Sequence, residues 1–131
     1  MVDYDVLKVP STEKLKMAST NRAFYDLLVD EKKMFDYKYQ LYTFAIMVAI
    51  SKGAAPDTST KSVDICFVHN AERDKPNFDV AQGLVAHISP DVKRGSELMK
   101  RMNEYADAGI NILKEAYEMN DGEIDIGEFF D

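Results

Sequence analysis

The apolar positions of this chain fall into five groups, and three of them recur at helical spacing. Phe24, Leu27 and Leu28 stand at i, i+3 and i+4, one stripe of a helix that Ser19 and Thr20 are placed to open as caps. A shorter helical turn over 13–18 is predicted before it, with Ser11 and Thr12 as N-cap and the acid of Glu13 in the first turn. Residues 30–33 read as a polar connection. Next comes the strongest segment, 41–50, ten residues without a charge. That is too short to cross a bilayer and suits a central helix covered on nearly every side, predicted from 37 to 52 and stopped by Gly53 at the position after the cap.

The period changes between 54 and 75. Pro56-Asp57-Thr58-Ser59-Thr60 is turn chemistry and precedes a β-branched and aromatic run at 63–68. That run is either a short strand or a buried extended segment. As a strand it needs a partner, for which 2–9 and 123–130 are the candidates. Helical spacing resumes at 77–88, with Phe78, Ala81, Leu84, Val85 and Ile88 on one face. Ser89-Pro90-Asp91 then supplies a cap, a proline for the first turn and an acid near the helix start. The last helix is predicted over 90–119, with a break near Gly95, on the stripe Leu98, Met102, Tyr105, Gly109, Ile112, Leu113 and Ala116. The expected fold is mostly α: a compact helical domain of about four to five helices, with a small β element from residues 63–68 and a chain terminus. All 131 residues fit one domain, with 1–11 as a loose N-terminal segment and 120–131 as an acidic C-terminal tail.

Composition sharpens this in one respect. The chain has 16 Lys and Arg against 23 Asp and Glu, a formal charge of −7. Residues 1–102 carry 15 basic and 14 acidic side chains, whereas 103–131 carry nine acids and only Lys114, a balance of −8. Such an end repels phosphate backbones and suits a basic protein surface, so no direct nucleic-acid contact is expected. One cysteine excludes an internal disulfide framework. The acidic start Met1-Val2-Asp3-Tyr4-Asp5 is unlike a signal peptide and no apolar run is long enough for a membrane span, so a cytoplasmic protein without membrane contact is expected.

Candidate chemistry is sparse. Asp64, Cys66 and His69, with His87 downstream, are too few ligands for a structural zinc site, and along a strand Cys66 and His69 point to opposite faces. The segment from Asn120 to Phe129 resembles the second half of a calcium loop, with Gly122 at its sixth place and Glu128 at its twelfth, but Tyr117 and Met119 fall where carboxylates belong. The six glycines are scattered at 53, 83, 95, 109, 122 and 127, and none forms a phosphate loop. No catalytic, cofactor or metal residue is assigned, and no cofactor is expected. The tail alternates acids with Ile124, Ile126 and Phe129, a strand-like pattern for its own sheet or for a partner's edge.

Three segments in order carry a family likeness: Phe24-Tyr25-Asp26-Leu27-Leu28, the helix from Tyr42 through Ala49-Ile50-Ser51-Lys52-Gly53, and Glu104-Tyr105-Ala106-Asp107-Ala108-Gly109-Ile110. Over about residues 20–116 the chain resembles the small accessory proteins associated with DNA phosphorothioation (Dnd) systems, which mark DNA with sulfur and restrict unmarked DNA. In that family an asparagine is expected where this chain has Asp107, and the insert at 54–62 and the acidic tail depart from it. The resemblance implies an accessory role in a defence system and transfers no catalytic residue. Ala106 and Gly109, three apart on one helix face, permit close approach of another helix, with Tyr105 beside them. The reading is a non-enzymatic adaptor docking onto a larger protein of a DNA modification or restriction complex, through Tyr105, Asp107, Gly109, Asp121, Glu123, Asp125, Glu128 and Phe129. The alternatives are an acidic nucleic-acid-mimic regulator and a homo-oligomeric helical protein of unassigned function.

Overall fold

A computed structural model describes residues 16–59, 62–93 and 95–124. Within them lie four α-helices and a two-stranded antiparallel sheet, the mostly helical domain with a small β element that the patterning predicts. In order these are strand β1 (Lys16–Ser19), helix α1 (Arg22–Asp26), helix α2 (Lys38–Ser51), strand β2 (Val63–Phe67), helix α3 (Lys75–His87) and helix α4 (Gly95–Met119). A π-helical turn over Leu27–Glu31 continues α1, and a 3₁₀ turn over Val68–Asp74 leads into α3.

Helix α2 is the centre. Tyr39, Leu41, Tyr42, Ala45, Ile46, Val48 and Ala49 are all buried, while Phe44 and Met47 on its remaining side are half-buried. Its ends follow local chemistry. Gln40 Oε1 accepts from the backbone N–H groups of Asp36 (3.0 Å) and Tyr37 (3.1 Å), the returning half of a capping box. At the far end Gly53 adopts φ +68° and the Ala54 amide reaches back to the Ala49 carbonyl at 2.9 Å, a Schellman stop.

The longest helix, α4, lies along α2. Its buried residues include Leu98, Met102, Ala106, Ile110 and Leu113, the predicted stripe with its neighbours. It begins at Gly95, and Ser89–Val92 forms a turn of its own, which Arg101 ties to α4 through both carboxylate oxygens of Asp91 (2.6 and 3.2 Å). Helix α4 stops with Asp121 at φ +54°, the Gly122 amide bonded to the Tyr117 carbonyl at 2.8 Å. The Asn120-Asp121-Gly122 stretch is therefore a helix cap, and Ile124 folds back onto the core.

Two expectations are corrected. Residues 16–18 are not helical: Lys16–Ser19 alternates, with Met17 and Ser19 buried and Lys16 and Ala18 half-buried, so the period is two. Likewise, among the described residues 63–67 pairs with Lys16–Ser19, a partner not among the expected candidates, with Met17 opposite Cys66 and Ala18 opposite Asp64. That register leaves Ile65 as an extra residue, a β-bulge. Residues 2–9 and 125–130 lie outside the described residues, as does most of the predicted 13–18 turn.

Candidate functional site

Tyr105, Asp107 and Gly109 sit where α4 meets the rest of the chain. Tyr105 is 8 % exposed and Asp107 3 %, so both side chains face inward. At Gly109 the two long helices touch: a Cβ there would stand 1.8 Å from the Ala45 carbonyl oxygen of α2. The close approach expected from Ala106 and Gly109 is therefore made, and the helix that makes it is the chain's own α2.

A polar seam crosses beside this contact. Asn103, Asp107 and Asn111 are spaced by four on α4, so they share one face. The Asn103 side chain stands against β1 as a peptide group would: its Oδ1 accepts from the Ala18 amide at 3.2 Å and its Nδ2 donates to the Lys16 carbonyl at 3.4 Å. The same oxygen accepts from the Tyr42 hydroxyl at 2.6 Å. One turn on, the Asp107 carboxylate accepts from the Ser19 hydroxyl, from the Thr20 amide at 3.1 and 3.3 Å, and from the Thr20 hydroxyl at 3.3 Å. Burial raises its carboxyl above the usual carboxylate range, and the donors from Ser19 and Thr20 pull the other way. Asn111 completes the seam, accepting from Asn21 Nδ2 at 3.0 Å and donating to Asp57 at 2.7 Å.

Asp57 also holds the polar insert down. Its amide donates to the Glu104 carbonyl at 2.9 Å, and its carboxylate accepts from the Ser59 amide (3.0 Å) and hydroxyl (2.7 Å). The Ser59 hydroxyl chiefly, with Asn111, lowers the Asp57 carboxyl below the ordinary value. Sequence reasoning took this insert for plain turn chemistry. The four-residue spacing of Asn103, Asp107 and Asn111 on α4 is the sequence signal of this polar strip.

Cys66 is half-buried in β2, its Sγ 3.5 Å from the Met17 Sδ. Burial pushes its thiol up to about 11, with Lys38 acting weakly against it. Asp64 is exposed and pairs with Lys16 at 3.0 Å, while His87 ends α3 on the surface. Among the described residues no group of three or more His, Cys, Asp or Glu could hold a metal ion. With its pKa raised from 9.0 to about 11, Cys66 should hold about a hundredfold less thiolate at neutral pH than an ordinary cysteine. Alkylation by iodoacetamide should be slower by about that factor and climb about tenfold per pH unit. Reaction at the rate of a free thiol at pH 7 would show that the sulfur is not covered.

The exposed part of the predicted site is the end of α4. Glu115, Glu118, Asp121 and Glu123 face solvent, with Met119 at 75 % exposure among them. Among the described residues none of these four acids takes part in an ion pair. Asp125, Glu128 and Phe129 lie outside the described residues. No helix among the described residues is long and apolar enough to cross a membrane. Compared with protein-family models, curated proteins and solved structures, the chain matches none.

Proposed function

We propose that this chain is a non-enzymatic accessory protein that docks onto a larger partner with a basic surface. The setting is the DNA-modification-linked antiviral defence that its resemblance to Dnd accessory proteins implies. One observation carries the reading: at the end of α4, Glu115, Glu118, Asp121 and Glu123 are exposed and make no ion pair among the described residues, beside the exposed Met119. Uncompensated charge of one sign raises the potential at that end and steers a complementary surface toward it. Gly109 and Asp107 have a supporting part, since Gly109 lets α4 close on α2 and Asp107 ties α4 to Ser19 and Thr20, which together present its far end in a fixed direction.

The test is co-purification of a tagged copy from its native host. At about 0.05 M salt a modification or restriction protein should come with it, and at about 0.5 M it should be lost, because exposed charges are screened within a few ångströms there. A Glu115→Lys, Glu118→Lys chain, folded by circular dichroism, should lose the partner even at low salt. A chain that purifies alone at both salt concentrations, or keeps its partner despite both substitutions, would overturn the reading.

A further inference from the structure

A second surface lies on the side of α2 that faces α3. The connection before α2 supplies Met34 and Phe35, α2 supplies Phe44 and Met47, and α3 supplies Val80; together they line an open groove of about 490 Å³. This is within the span of about 300–1,000 Å³ usual for binding pockets. The Phe35 and Phe44 rings meet at 5.6 Å, tilted by 44°, and form its aromatic wall. Val80 is 51 % exposed although it sits on the helix that closes the groove. Two methionines in one apolar lining let it adapt to the shape of an incoming side chain.

Its polar lining is one-sided. Asp36 and Asp74 stand among the lining residues with Gln40 and Asn77, and no Lys, Arg or His is among those described. Asp74 is held in place by Asn77, whose Nδ2 lies 3.1 and 3.0 Å from its two oxygens. The two bases that flank Asp74 along the chain are turned elsewhere: Lys75 is engaged by Asp79 at 2.7 Å, and the Arg73 guanidinium lies over the Tyr37 ring at 5.9 Å. An acidic rim over an apolar floor disfavours an anionic lipid surface and favours apolar anchors flanked by cations.

We propose that this groove takes an amphipathic, basic helical segment of a partner protein, its apolar anchors on Phe44, Met47 and Val80 and its lysine or arginine side chains on Asp36 and Asp74. The proposal rests on the docking reading above but uses a different face of the chain, so the two fail separately.

The probe is a synthetic helical peptide of leucine and lysine with its leucines on one face, and a twin carrying glutamate for every lysine. Binding to the full chain is read by fluorescence anisotropy. The lysine peptide should bind, and the glutamate twin should bind at least about tenfold more weakly. An Asp36→Lys, Val80→Lys chain, altered only at exposed positions, should lose affinity by about tenfold or more, while Glu115→Lys, Glu118→Lys should change it by less than about twofold. If the α4 pair rather than the groove pair weakens binding, the groove proposal is overturned and docking through the acidic end stands. Equal binding of the two peptides, or binding of neither, overturns it as well.

Discussion

Replacing Gly109 with alanine should lower stability by about 3 kcal/mol, the upper end of what overpacking usually costs. The added carbon would sit 1.8 Å from the Ala45 carbonyl oxygen and 2.9 Å from its Cα, so it meets backbone on a neighbouring helix and not the movable end of a side chain. Relief requires α2 and α4 to separate, which loosens packing along both, from Met102 and Ala106 to Leu113. The about 1 kcal/mol that alanine gains over glycine inside a helix is already outweighed. Gly83 in α3 is the internal control, since a Cβ there meets nothing within 4 Å. Gly83→Ala should therefore be neutral or stabilising by up to about 1 kcal/mol. Urea unfolding of the two variants reads the difference directly. Equal midpoints would mean that the helices do not cross at Gly109.

The second large effect is expected at Asp107. Asp107→Ala leaves the Ser19 hydroxyl and the Thr20 amide without their acceptor, and Ser19 is fully buried, so a loss of about 3 kcal/mol is expected. Asp107→Asn keeps an acceptor in the same place and should cost about 1 kcal/mol. The pair also separates packing from titration. Because burial raises the carboxyl in the folded chain above its unfolded value, the folded state holds a proton that the unfolded state has lost, across the window between the two. This group's contribution therefore falls as pH rises through that window and levels off above it. Asp57 and Asp91, both lowered, act in the opposite sense: their contribution is present above the unfolded value and lost as pH falls through the folded one. Subtracting the Asp107→Asn stability curve from that of the unaltered chain isolates the one group. A difference that does not change between about pH 4 and pH 7 would contradict a raised carboxyl.

Much of the helical plan was legible because its signals are local. An uncharged run such as 41–50 favours a central, largely covered helix, and Gly53 marks its end through a backbone conformation that glycine adopts without strain. The stripe on α4 likewise follows from spacing alone. What escaped was non-local. Lys16–Ser19 is four residues long, too short for its alternation to outweigh a capping signal nearby, and its pairing joins residues about fifty positions apart. The spacing of Asn103, Asp107 and Asn111 marks a polar strip, but its partners in β1 and at Asp57 lie far away along the chain and are not announced by it. At the candidate site the close-packing glycine was read correctly, but the helix it receives was sought in a partner and is α2. The acidic end of α4 was legible as composition, and the groove between α2 and α3 was not, since its lining comes from three separate segments.

The side chain of Asn103 has a consequence for how this small sheet meets other polypeptide. A strand with unpaired amides and carbonyls along one side is a template on which another extended chain can assemble, in aggregation as well as in recognition. Along β1 the Lys16 carbonyl and the Ala18 amide are already occupied by one side-chain amide, so strand addition is blocked there without a third strand, a proline or a charge. A passing segment, whether from a second copy or from a foreign protein, therefore meets no free amide or carbonyl at Ala18 and Lys16. One asparagine thus closes a border of the sheet that would otherwise invite a third strand.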